Sequence, residues 1–159
     1  TLYICWAAQA GLYHFYDIPK YPLPKKMFGI FPTIPLKPEL SLFRGFDDVF
    51  RMPQSRHTEV RREDIERVDD LEIIAESEES GVSIVRSHSK REFFITGHLE
   101  YAPNTLDTEY RRDLGKRDDV EVPKYYYRED NPDKGPLVTW RSHANLLFMN
   151  WVSWVLGSE

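Results

Sequence analysis

One cysteine, five histidines and 26 acidic residues set the chemistry open to this 159-residue chain. Cys5 stands between a β-prone stretch, Thr1-Leu2-Tyr3-Ile4, and a segment from Trp6 to about Tyr16 whose Ala, Gln, Leu and aromatics suit a helix. A cysteine in such a strand–turn–helix elbow is held clear of the sheet, at a helix N-terminus whose positive potential and free amides favour the thiolate. The amide of Trp6 would lie where an oxyanion forms. Ala7 and Ala8 provide the small residues that let strand and helix approach. The competing reading of a lone cysteine is an inert, buried small hydrophobe.

A nucleophile needs a base, and the base needs an orienting group. His98-Leu99-Glu100 offers both, just past the strand-like Glu92-Phe93-Phe94-Ile95, where open α/β sheets place their sites. Alternate residues of an extended segment point the same way, so Glu100 can support the ring of His98. The other histidines are less apt. His14 falls inside the first helix, His57 and His88 lie in polar, turn-like stretches, and His143 opens the last helix. No ligand spacing suggests a metal site.

The elements that must position these groups follow from pattern. Six prolines between residues 19 and 38 exclude a long helix there, and Lys26–Phe31 reads as one strand. Arg51–His57 reads as a polar loop. Residues 59–79 carry ten acidic and three basic side chains, expected as a solvated helix around Glu63–Val68 rather than a docking face for a basic partner. Leu71–Ile74, Val82–Val85 and Glu92–Ile95 read as three successive strands. Asn104 is placed to cap a helix to about Leu114, with Leu106, Tyr110 and Leu114 as its apolar stripe. Glu109 and Arg112, three apart, can share a face of that helix. A last helix is expected from Ser142 to Leu156, with Ala144, Leu147, Phe148, Trp151 and Val155 packing inward.

Composition narrows the function. A formal net charge of -5 argues against nucleic-acid binding. No apolar run reaches the roughly 18–20 residues of a membrane span. The opening carries no basic n-region of a signal peptide, so a cytoplasmic protein is expected. A single cysteine excludes an internal disulfide. The sequence opens inside a strand without a methionine, and so reads as part of a longer chain.

Taken together, Ile4-Cys5-Trp6-Ala7-Ala8-Gln9-Ala10-Gly11-Leu12-Tyr13-His14 resembles the nucleophile segment of the homoserine O-acyltransferases of methionine biosynthesis, of the homoserine O-succinyltransferase type. Lys26-Met27-Phe28-Gly29, Arg51-Met52-Pro53, Ser55-Arg56-His57-Thr58, Ala75-Glu76-Ser77, Thr96-Gly97-His98-Leu99-Glu100-Tyr101 and Trp140–Phe148 fit in the same order, over nearly the whole chain.

The resemblance implies an α/β fold similar to class I glutamine amidotransferases, a flavodoxin-like sheet flanked by helices, with an added short β-meander. Residues 1–159 would be the C-terminal portion of a single acyltransferase domain whose first strands lie upstream. It implies Cys5 as acyl-thioester nucleophile, His98 as proton acceptor and Glu100 as its partner. Lys26, Ser55 and Arg112 match substrate-contacting positions, with Glu109 on the same helix as Arg112. The implied substrates are L-homoserine and an acyl-coenzyme A, succinyl or acetyl, reacting by ping-pong transfer without a bound cofactor or metal. A homodimer is common in the family.

Two departures stand out. Leu99 occupies a position where the family usually has proline, and Ala102 one that is often acidic; both bear on the loop that sets His98. Two rival readings accompany this one. One is a glutamine amidotransferase, which uses a similar elbow and His-x-Glu pair; the other is a catalytically inactive fragment, folded or not.

Overall fold

The structure is a computed structural model that describes residues 1–116 and 119–157. Strand β1 (Leu2–Ile4) passes through Cys5 directly into helix α1 (Trp6–Tyr16). There follow β2 (Tyr21–Pro35), β3 (Phe50–Glu59), a single-turn α2 (Arg62–Ile65), β4 (Leu71–Ser77), β5 (Gly81–Ser87), β6 (Phe93–Ile95), α3 (Thr105–Leu114) and α4 (Arg141–Leu156). The six strands form one mixed sheet in the order β1-β6-β5-β4-β2-β3. In this sheet β1 and β6 pair in parallel, while β4, β5 and β6 form the expected antiparallel meander.

Alternation along the strands gives the sheet two buried faces. On β6, Phe93 and Ile95 enter the larger core while Phe94 enters the smaller one; on β4, Ile74 and Ile73 divide the same way. The smaller core lies beneath α1, which contributes Ala8 and Leu12. Helices α3 and α4 cover the opposite face through Leu106, Tyr110, Ala144 and Leu147. A Cβ at Gly11 would lie 3.0 Å from the ring of Phe94, so the missing side chain lets α1 sit close to β6.

Several expectations need correction. Arg51–His57 is not a loop but most of β3, paired antiparallel with β2 from Tyr21↔Glu59 to Thr33↔Phe50. Arg56 is strand-compatible because it is satisfied inside: 5% exposed, it donates to Gln54 Oε1 and to the carbonyls of Thr58 and Ser80. Strand β2 is fifteen residues long rather than six, since prolines that forbid helix are compatible with extended backbone.

Gly29 is the position that closes this corner. Its φ of 146° and missing Cβ let the chain at Lys124 approach, Lys124 N donating to Phe28 O and Ile30 N to Lys124 O. No L-residue adopts that conformation easily.

The acidic run is largely paired within the molecule. Glu76 and Glu66 take Arg62, Glu72 takes Arg86 and Lys37, and Glu79 takes Lys124. The expected helix there shrinks to one turn that buries Asp64 and Ile65. Asn104 makes no side-chain cap. Instead the Tyr126 hydroxyl accepts from Asp107 N at 3.1 Å and donates to Pro103 O, capping α3 from a distant segment. Leu114 and Val155, expected inside, are exposed.

Candidate active site

The site is assembled where β1 and β6 end side by side. Because these strands are parallel with Ile4 opposite Ile95, both chains leave the sheet at the same edge. Cys5 N donates to Ile95 O at 2.7 Å, and His98 follows three residues after that carbonyl. Cys5 itself adopts φ 50°, ψ -110°, a strained conformation for a residue with a side chain and the mark of a nucleophile elbow. Its carbonyl accepts from Gln9 N at 3.1 Å, so the residue is the N-cap of α1. Trp6 is the first helical residue, and its amide belongs to the N-terminal set without an intrahelical acceptor.

The segment carrying His98 is pinned at several points. His98 N donates to Pro53 O at 2.8 Å, and Tyr101 N to His98 O at 3.2 Å, closing a turn. Leu99, where proline was the resemblance's expectation, is 3% exposed within the main core and anchors that turn by packing. Gly97 lets the segment pass β3: a Cβ there would lie 2.5 Å from Met52 Sδ and 2.6 Å from Pro53 O.

His98 Nδ1 lies 2.7 Å from Glu100 Oε1. The imidazole side chain is 14% exposed and the carboxylate 40%. Burial opposes the charged ring, but hydrogen bonding to Cys5 and Glu100, and the negative charge of both, outweigh it and raise the pKa of His98 from 6.5 to about 9. The structure thus brings Cys5, His98 and Glu100 together, although 93 positions separate sulfur and imidazole in sequence.

Beside this group lies a second cluster. Glu109 Oε2 accepts from Ser55 Oγ at 2.6 Å and from Lys26 Nζ at 3.1 Å, joining β2, β3 and α3. Burial pushes the Glu109 carboxyl up, and the hydrogen bonds of Ser55, Lys26 and Tyr101 more than reverse this, leaving its pKa below the ordinary value. The side chain of Lys26 is 22% exposed and its ammonium also lies 3.9 Å from the centroid of the Phe28 ring. Arg112 sits at the rim, 55% exposed, with its guanidinium on Asp113, a residue that in turn reaches Lys26 at 3.8 Å. It shares neither a hydrogen bond nor an ion pair with Glu109, so their spacing does not join them directly.

The family model for homoserine O-succinyltransferase matches residues 1–159. The chain belongs to this homoserine O-succinyltransferase family. A homoserine O-acetyltransferase of Bacteroides thetaiotaomicron is 62% identical over all 159 residues, which cover 52% of that relative. One of Brevibacillus brevis is 56% identical over the same span, again 52% of its length. The chain therefore spans about half the length of the curated relatives it matches. Among solved structures, a glutamine amidotransferase of Thermotoga maritima aligns over 98% of this chain and 61% of its own, with TM-score 0.65 and 13% identity. At that identity the likeness concerns the fold, which is glutamine amidotransferase-like.

Against this homoserine O-succinyltransferase background, sequence reasoning passed over Tyr101 and Arg56. Tyr101 stacks on His98 and bonds Glu109; its spacing of three from the histidine was the available signal. Among the described residues the buried guanidinium of Arg56 has no carboxylate hydrogen-bond partner; it is held by neutral oxygens and influenced by the charges of Glu59 and Cys5. Nothing in a sequence distinguishes it from the exposed arginines around it.

Proposed function

We propose that the intact protein is a homoserine O-acyltransferase that moves an acyl group from an acyl-coenzyme A to the γ-hydroxyl of L-homoserine through an acyl-cysteine at Cys5. The observation that carries the reading is the convergence of Cys5, His98 and Glu100 at the ends of two adjacent parallel strands, in a chain of this family. The names of the relatives favour acetyl as the group transferred. Such an enzyme belongs to methionine biosynthesis and to the cytoplasm.

The residues suit a two-step transfer. In the first step the Cys5 thiolate attacks the thioester carbonyl, and helix-terminal amides, Trp6 included, stabilise the oxyanion. The imidazolium of His98 gives its proton to the departing coenzyme A sulfur, leaving an acyl-thioester on Cys5. In the second, the homoserine hydroxyl attacks that thioester while His98 takes its proton, and the Cys5 thiolate is expelled.

The electrostatics change between the steps in the required direction. Part of what raises the pKa of His98 is the negative sulfur of Cys5. Acylation removes that charge, so the ring loses the partner that held its proton and becomes a free base for the alcohol. Glu100 keeps the ring oriented throughout. On the acceptor side, the carboxylate of Glu109 suits the amino group of homoserine, and the guanidinium of Arg112 suits its carboxylate. Lys26 and Ser55 hold Glu109 in place for this.

The test uses the intact protein with acetyl-coenzyme A and homoserine. Mass spectrometry is expected to find a single acetyl group on the peptide bearing Cys5, discharged by homoserine, and none in Cys5→Ser. An acyl group on another residue, or unchanged turnover in Cys5→Ser, would overturn the assignment. Succinyl-coenzyme A reacting faster would reassign the donor, and glutamine hydrolysis without acyl transfer would favour an amidase.

A further inference from the structure

Tyr101 touches both halves of the site. Its ring lies over the imidazole of His98 with centroids 4.1 Å apart and planes 14° from parallel. Its hydroxyl donates to Glu109 Oε1 at 3.2 Å. The backbone is fixed at both ends: Tyr101 N donates to His98 O, and Tyr101 O accepts from the indole Nε1 of Trp140 at 3.1 Å, at the start of α4. Burial, then the charge of Glu109, push the phenol pKa well above its ordinary value, so the hydroxyl stays a donor.

A histidine held at its edges by Glu100 and Cys5 keeps one degree of freedom, rotation of the ring about the line joining those two contacts. A parallel ring at stacking distance removes it, because tilting the imidazole would drive it into the phenol. The same ring covers one face of the imidazole against water, where desolvation strengthens its attraction to Cys5 and Glu100. At its far end the phenol is tied to a carboxylate whose other oxygen is fixed by Ser55 and Lys26.

We propose that Tyr101 is the positioning residue of the site, its ring setting the plane of His98 and its hydroxyl tying that ring to Glu109, so that base and acceptor pocket are held as one unit. The acceptor half of this inference rests on the proposed acyl transfer to homoserine; the His98 half rests on the stacking alone. The two functions of the side chain are separable by chemistry. Phenylalanine keeps the stack and loses the bond to Glu109, whereas leucine loses both.

The experiment compares Tyr101→Phe and Tyr101→Leu in the intact protein, with two readouts. The first is the rate at which iodoacetamide alkylates Cys5 at neutral pH, which reports the cysteine–histidine pair without any substrate. Tyr101→Leu is expected to slow it about fivefold or more, and Tyr101→Phe to stay within about twofold of the parent. The second is steady-state acyl transfer, where Tyr101→Phe raises the KM for homoserine about threefold or more, and Tyr101→Leu also lowers kcat about tenfold or more. A residue that only filled space would leave alkylation of the folded protein unchanged and would show no such division.

Equal alkylation rates in parent and Tyr101→Leu would overturn the stacking role, and an unchanged homoserine KM in Tyr101→Phe would overturn the coupling. If Tyr101→Leu does not fold, Tyr101→Met takes its place and is judged by the same alkylation rate. If the parent itself transfers no acyl group to homoserine, the proposed function fails, while the alkylation comparison still decides the role of the stack.

Discussion

The backbone amide of Cys5 and the carbonyl of Ile95 meet at 2.7 Å, and this single bond joins the two places in the chain that supply the candidate nucleophile and its base. It continues the parallel pairing of β1 with β6 by one residue beyond Ile4↔Ile95. The thiol and the imidazole therefore inherit their proximity from the sheet, not from a flexible loop. A site built on strand ends holds its geometry to within what the backbone hydrogen bonds permit.

Gly97 should tolerate no side chain. A Cβ there would meet Pro53 O at 2.6 Å, and that same oxygen accepts from His98 N. Met52 is a side chain and can yield; a carbonyl in a paired strand cannot. Gly97→Ala is expected to lower stability by about 1–3 kcal/mol and to reduce kcat at least tenfold by displacing His98. Thermal unfolding and steady-state kinetics of the intact protein check both, and an alanine variant with unchanged kcat would show that the segment has more room than its contacts imply.

The pH dependence follows from the raised pKa of His98. The imidazolium of the resting site persists until pH rises through about 9. Acylation of Cys5 is thus expected to fall on the alkaline side with a midpoint near 9. Deacylation by homoserine needs the neutral ring, without the charge of the sulfur, so its acid limb should lie below that value. Glu100→Gln removes one of the groups that raise the pKa and should move the alkaline limb of acylation toward neutral pH. Single-turnover rates measured across pH distinguish the two steps. The linkage to stability has the same sign: a pKa raised from 6.5 contributes stability that is complete below pH 6.5 and disappears as pH passes about 9.

Much of this arrangement was legible from residue order. The elbow at Cys5 announced itself through a β-prone start, small residues at positions 7 and 8 and a helix ending before Pro19. The meander of β4, β5 and β6 showed in short apolar runs separated by Gly81 and Ser89. What sequence could not show was tertiary satisfaction of polar groups. Gln54, Ser55 and Arg56 look like loop residues until their partners on β2, α3 and the Ser80 turn are in place. Likewise, local capping rules pointed to the Asn104 side chain, whereas a phenol from Tyr126 takes that role from 22 residues away. Long-range contacts overrode local preference at both places.

Glu109 is expected to act mainly on acceptor binding. Its carboxylate is held by Ser55, Lys26 and Tyr101, and its pKa is depressed by them against the effect of burial. Glu109→Gln keeps the shape but removes the charge that pairs with Lys26 and suits an ammonium group. The KM for homoserine should rise about tenfold or more, with acylation by the acyl donor changed by less than about twofold. Burst kinetics with the donor alone separate the two effects. Because the folded pKa lies below the ordinary carboxyl value, the clamp is complete at neutral pH and is lost only as pH falls through that depressed pKa.

Gly29 supplies a test of the fold beneath the site. Its φ of 146° is outside the range of residues with a side chain, and a Cβ would fall 2.4 Å from Lys124 O and 2.6 Å from Lys124 N. Both are backbone atoms, held by Lys124 N to Phe28 O and Ile30 N to Lys124 O at 2.9 and 2.8 Å. Substitution must therefore break that clip or distort β2, three residues from Lys26. Gly29→Ala is expected to cost roughly 2–4 kcal/mol, read as a shift in the midpoint of denaturant unfolding. The KM for homoserine should rise with it, since the ammonium of Lys26 steadies Glu109. A Gly29→Ala variant with parental stability would show that the segment around Lys124 does not clasp β2 at this point.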